Sequence, residues 1–234
     1  LGVEIVLHKG VYDVSKTPLV VRRKSSGVSF VNAPGEVPEL YAGVELNPSD
    51  WFVPEEYPEL LAYDLTALVG LEDLGSLSSG GLGDCANAKA EIFAGGQPLW
   101  LARYPNVDAE SGLFGWNNIT SVCDDDPCLD SFAWNEMTKV SEWANASDLW
   151  LHGYWSYDWA DNHIRISEMD ATTGTFYADP STPPVYGFKA GARWYAENLL
   201  GELDSPDEYF IDFAAGVAYV SRDIANLTQV VFIL

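Results

Sequence analysis

The sequence predicts an all-β protein, and three observations carry that reading. Nine Trp, twelve Tyr and ten Phe make a heavy aromatic load, and large aromatics suit the pleated, half-buried surface of a sheet. Apolar residues come in short runs bounded by Gly, Pro, Asn and Asp rather than in long stretches of helical period. The first such run recurs at Val28 after starting at Val3, about one coil of a parallel β-helix, in which like positions stack roughly 4.8 Å apart.

The elements follow in order. Residues 1–50 read as short strands separated by turns: Val3 to Leu7, Leu19-Val20-Val21, Val28 to Val31 and Leu40 to Val44. Gly10-Val11-Tyr12 turns the chain, and Ala33-Pro34-Gly35 is a second turn. Residues 51–90 are richer in turns, with Ser78-Ser79-Gly80-Gly81 as a flexible connection. Glu91 to Ala94 and Leu99 to Ala102 flank Gly95-Gly96 and predict a hairpin, because Gly tolerates the positive φ that tight turns need. Residues 105–135 read as loop. Asp148 to Trp159 is aromatic, and His163 to Ser167 alternates as a strand. The spacing of Trp194, Tyr195, Leu199 and Leu200 predicts one short helix within Ala192 to Leu203. Glu208 to Phe213 and Val217 to Val220 flank Ala214-Ala215-Gly216 as a second hairpin, and Val230 to Leu234 is the last strand.

Charge narrows the function. The net charge is −23, from 12 basic and 35 acidic residues. Such a chain repels phosphate backbones and anionic membrane surfaces, which argues against nucleic-acid binding and membrane association. No apolar run approaches the roughly 18 residues of a membrane span. The start is different: Lys9, Lys16, Arg22, Arg23 and Lys24 face only Glu4 and Asp13 within residues 1–24, a basic region suited to docking on an acidic neighbour.

Asn118-Ile119-Thr120, Asn145-Ala146-Ser147 and Asn226-Leu227-Thr228 are N-glycosylation sequons, whereas Pro48 blocks Asn47-Pro48-Ser49. Together they predict a secreted, extracellular eukaryotic glycoprotein. Cys123 and Cys128 bracket a turn-rich loop short enough for a disulfide, leaving Cys85 free or paired elsewhere. With no signal peptide and strand-like runs at both ends, the chain reads as a segment of a longer or processed polypeptide.

Several ordered pieces are similar to one family. They are Gly10-Val11-Tyr12; Ala33-Pro34-Gly35; Ala90 to Phe93 with Leu101-Ala102-Arg103-Tyr104-Pro105-Asn106; Gly153-Tyr154-Trp155 with Tyr157-Asp158-Trp159-Ala160-Asp161; and Tyr195 to Asn198 with Glu202-Leu203-Asp204. They resemble the secreted right-handed parallel β-helix proteins related to polysaccharide-cleaving enzymes. The resemblance implies an interrupted architecture: first β-helix coils over residues 1–50, an inserted β-rich, sandwich-like domain over 51–226, and a truncated resumption of the β-helix over 227–234. In that family the hydrolytic or lytic residues usually lie on later coils, so no catalytic residue is carried over to this chain.

The candidate chemistry is sparse. Asp158 and Asp161 are the carboxylates to weigh for glycoside hydrolysis, which needs two of them about 5 or about 6.5–9.5 Å apart; the resemblance places them in a motif where hydrogen bonding to backbone is the commoner job. Asp124, Asp125 and Asp126 lack the spacing of a calcium loop. His8, His152 and His163 offer no metal spacing, no phosphate loop or serine-nucleophile motif occurs, and no metal or cofactor is expected. Trp150, Tyr154, Trp155, Tyr157 and Trp159 are the candidates for stacking on sugar faces, with core packing as the alternative. Two functions are therefore expected. One is a structural or interaction module of an extracellular glycoprotein, assembling through its β-helix ends, even into filaments. The other is the N-terminal part of a polysaccharide hydrolase or lyase.

Overall fold

A computed structural model describes residues 2–15, 17, 19–77, 90–108, 111–146, 148–224 and 230–233. The fold is all-β apart from short helical segments. The expected first coil is present as pairing: strand Val3–Leu7 lies parallel to Val28–Asn32 with Val3 opposite Val28. Gly10–Asp13 lies parallel to Pro38–Tyr41. Gly10-Val11-Tyr12 is thus strand, not turn. Leu19-Val20-Val21 is irregular and exposed rather than a strand, and runs into a 3-10 turn at Arg23–Ser25.

Beyond these pairs the sheets are mostly antiparallel. The expected parallel β-helix is thus not shown: among the described residues 1–50 the structure gives only these two parallel pairs, each in a two-stranded sheet of its own. The reason lies in the turns: Gly96, Gly174 and Gly216, all at positive φ, reverse the chain where a coil would have carried it onward. The largest sheet has eight strands. Its centre is Arg193–Glu197, Trp150–Tyr154, Asn162–Asp170 and Thr175–Ala178, each antiparallel to the next. One face buries Phe132, Leu151, Ile164, Phe176, Trp194 and Ala196, with the Phe132 and Phe176 rings stacked 5.1 Å apart. Burying rings of this size is the main stabilising term for this half of the molecule, at about 25 cal/mol per Å² of apolar surface.

Two four-stranded sheets form a second body. One orders Leu60–Asp64, Val217–Ser221, Glu208–Asp212 and Trp100–Leu101; the other orders Val44–Glu45, Val230–Ile233, Glu91–Ala94 and Gln97–Pro98. Both feed one core, with Ile92, Val230 and Phe232 from one sheet and Tyr209, Ile211 and Val220 from the other. The Tyr209 hydroxyl donates to the Ala90 carbonyl at 2.9 Å and ties the two together.

Three further expectations are corrected. The Glu91–Ala94 hairpin returns through Gln97–Pro98, and Trp100–Leu101 crosses to the other sheet, parallel to Glu208–Asp212. Val230–Ile233 is paired antiparallel on both sides rather than open as the end of a coil. The helix expected within 192–203 is the strand Arg193–Glu197 followed by a 3-10 turn at Leu200–Glu202. Its alternation of half-buried Arg193 and Tyr195 with buried Trp194 and Ala196 wins over helical spacing. The longest helix among the described residues is Met137–Trp143, which buries Val140 and Trp143, at the three-residue spacing of one helix face. The hairpin Glu208–Asp212 to Val217–Ser221 forms as expected. The connection at Ser78 to Gly81 lies outside the described residues.

Candidate functional site

The alternation that builds the large sheet's core also builds a second face. Across three neighbouring strands His152 stands opposite both His163 and Tyr195, Tyr154 opposite Arg193, and Trp150 opposite both Arg165 and Glu197. These residues leave the apolar core to the other side. The result is a largely buried polar and aromatic layer centred on His152, whose ring lies 4.4 Å from that of His163 and 4.9 Å from that of Tyr195.

The charges on this face are paired. His152 Nε2 lies 2.9 Å from Asp161 Oδ2, and His163 Nδ1 bonds Glu197. Burial holds the His152 imidazolium below the ordinary range, with the neighbouring His163 adding to it and Asp161 opposing. Burial is the largest single influence on Asp161 and opposes its ionisation, but the bond from His152, the charge of that ring, a backbone bond and the charge of His163 together outweigh it and hold that carboxyl low. The Arg103 guanidinium lies 3.6 Å over the Tyr195 ring and donates to the Pro105 and Gly115 carbonyls, both at 2.9 Å. Arg193 covers Tyr154 at 4.3 Å and Trp116 at 4.9 Å and meets Asp158 at 3.3 Å. Asp158 and Asp161 each face a basic partner of their own, Arg193 and His152.

The five candidate stacking residues divide. Trp150 and Trp155 are buried, with indole N–H groups donating to Asp148 at 3.1 Å and to the Asn162 carbonyl at 2.9 Å. Tyr154 is half-buried beneath Arg193. Tyr157 and Trp159 are 48% and 60% exposed. Their rings stack 5.5 Å apart at 22°. A third ring, Tyr186, is 44% exposed and stands edge-on to both, at 5.6 Å from Tyr157 and 5.4 Å from Trp159. Sequence reasoning missed Tyr186. Its signal was local: an aromatic after Pro183-Pro184-Val185 and before Gly187, in a segment with no strand partner to bury it.

Cys123 and Cys128 form the expected disulfide. Asp124, Asp125 and Asp126 lie in the exposed loop it closes. Among the described residues the grouping of metal-type side chains is Cys123, Cys128 and Asp130, and its two sulfurs are bonded to each other. Asn118 and Asn145 are exposed; the Asn118 amide donates to the Gly191 carbonyl at 3.0 Å. Asn226 and Cys85 lie outside the described residues. Among the described residues no helix is long and apolar enough to cross a membrane.

No known protein family matches the chain, and no curated protein matches it. A solved structure described as "Glycoside hydrolase" superposes with a TM-score of 0.61 at 16% identity, over 99% of this chain and 38% of that one. This chain thus spans less than half of that protein's length, and at that identity the likeness shows a shared fold.

Proposed function

We propose that this chain is a carbohydrate-binding part of a polysaccharide-active protein, and that Tyr157, Trp159 and Tyr186 hold sugar rings on its surface. The observation that carries the reading is the exposed three-ring cluster. Solvent-facing aromatics cost apolar exposure with no return to the fold, and grouped rings present the flat faces that pyranose C–H surfaces cover. The fold likeness to a glycoside hydrolase supports the same reading. Cleavage is not assigned to these residues, because the two nearby carboxylates are each engaged with a basic side chain.

Changing Trp159→Ala and Tyr157→Ala together should weaken binding to an immobilised neutral polysaccharide about thirtyfold, at roughly 1 kcal/mol for each ring removed. Affinity electrophoresis in gels carrying a panel of polysaccharides measures it. Equal retardation of both proteins in every gel would sink the proposal.

The compartment is read as extracellular, supported by the disulfide and by exposed sequon residues. Peptide mapping of native material should find glycans on Asn118 and Asn145; bare asparagine at both positions would refute it.

A further inference from the structure

A cleft of about 1060 Å³ opens between the large sheet and the second body. Its size is at the upper end of the roughly 300–1,000 Å³ of ordinary ligand pockets. One wall comes from the large sheet: Trp150, Arg165 and Asp148, with Glu142 beside them. The other comes from the second body and carries Tyr57, Phe210 and Tyr219 with the carboxylates of Glu56 and Asp212. Aromatic surface therefore faces hydrogen-bonding groups across a gap, the combination that a ring with apolar faces and equatorial hydroxyls requires.

Two features fix the cleft's floor. Asn198 is buried and sits at φ 54, a left-handed conformation that costs most residues energy and is tolerated best by Asn. Its side chain accepts from the Ile211 amide at 3.1 Å and donates to the Ile211 carbonyl at 3.0 Å, bolting the end of one sheet to the other body. Next to it Glu202 takes Lys139 Nζ at 2.8 Å and the Trp143 indole N–H at 2.7 Å. Strain held by surrounding bonds at the base of a cavity is a recurring mark of a binding site.

We infer that this cleft is a second saccharide site, distinct from the three-ring surface, and that it takes a non-acidic oligosaccharide. The charge of its walls sets the class. Of the cleft's lining carboxylates, Glu142 and Glu202 are held by Lys139 and Asp148 by Arg165, the one lining cation, while no ion pair links Glu56 or Asp212 to a cation among the described residues. A uronate chain would meet uncompensated carboxylates, whereas neutral or amino sugars meet acceptors. Burial and then the Asp212 carboxylate keep the Tyr219 phenol protonated, hence a donor.

The inference rests on the carbohydrate reading but not on the ring cluster, and the two separate in one experiment. The whole chain is made in a host that adds no N-glycan, because Asn145 lines the cleft. It is titrated calorimetrically with pentasaccharides of glucose, glucosamine and galacturonate. A Tyr157→Ala, Trp159→Ala, Tyr186→Ala variant should still bind the glucose or glucosamine pentasaccharide, and adding Tyr57→Ala with Arg165→Gln should weaken that binding at least about tenfold. The galacturonate chain should bind weakest. Native far-UV circular dichroism checks that each variant is folded. A folded ring-cluster variant that binds neither neutral nor amino chain overturns the cleft site and leaves the surface site standing. So does affinity unmoved by the Tyr57 and Arg165 changes. Wild-type affinity kept by the ring-cluster variant and lost on the cleft changes supports the cleft and sinks the surface site. Tightest binding to galacturonate overturns the charge argument.

Discussion

Lys139→Met will cost the fold about 3–5 kcal/mol, the usual consequence of stranding one member of a buried ion pair. Glu202 is 1% exposed, and Lys139 Nζ reaches both its oxygens, at 2.8 and 2.9 Å. Burial works against the Lys139 charge, but the bonds to Glu202 and Glu142 more than restore it and raise its pKa above the ordinary value. With the ammonium removed, the Trp143 indole N–H remains to a buried carboxylate that has lost its cation. Urea unfolding followed by tryptophan fluorescence measures the loss. The control is Lys139→Met with Glu202→Leu: deleting both charges should recover most of the stability, because the desolvation cost leaves with them. A loss below about 1 kcal/mol in the single variant would mean that water reaches the pair.

Glu208→Gln should stabilise the protein above neutrality, by about 2–4 kcal/mol at pH 8.5. Glu208 is 2% exposed and Oε2 has no hydrogen-bond partner. Burial first, and then the Asp204 carboxylate, raise its pKa to about 8, against the backbone amides of Arg103, Ser205 and Asp204. The folded value lies above the unfolded value of 4.5, so the contribution to stability is complete below pH 4.5. It declines as pH rises and is lost by the time pH passes about 8. Over that window the full linkage is about 1.4 kcal/mol per pH unit, reduced where the site relaxes around the charge. Glutamine keeps the shape and cannot ionise. Unfolding both proteins at pH 4.5, 6.5 and 8.5 should show curves that coincide in acid and separate steadily upward. A difference that does not change with pH would remove the argument.

Much of the local architecture was legible in the sequence, and the distant contacts were not. The recurrence from Val3 to Val28 became a parallel pairing in that register, because apolar alternation specifies which face of a strand is covered. The five-residue spacing of Cys123 and Cys128 became a disulfide. The Glu208 to Ser221 hairpin followed from its glycine and alternation. Residues 192–203 misled because Trp194, Tyr195, Leu199 and Leu200 fit a helix face, while the strand partners that decided the matter, Trp150–Tyr154 among them, lie far upstream. The ring cluster was half visible: Tyr157 and Trp159 sit in one aromatic run, but nothing local separates them from buried Trp150 and Trp155, and Tyr186 joins them only through the fold. The Lys139–Glu202 pair was invisible for the same reason, its members being 63 residues apart.

The weaving of Val230–Ile233 between Val44–Glu45 and Glu91–Ala94 bears on the order in which this protein is made. On a ribosome the strands at 44–45 and 91–94 emerge long before their shared neighbour. Until residues 230–233 leave the exit tunnel, the gap between those two strands stays unfilled, with Ile92 short of the Val230 and Phe232 side chains that complete its core. The hairpin Glu208–Ser221 closes a short loop and forms cheaply, whereas this sheet joins distant segments and is among the slower kinds of pairing. Nascent chains of this protein therefore carry unsatisfied strand edges until residues 230–233 emerge, the condition under which folding helpers bind.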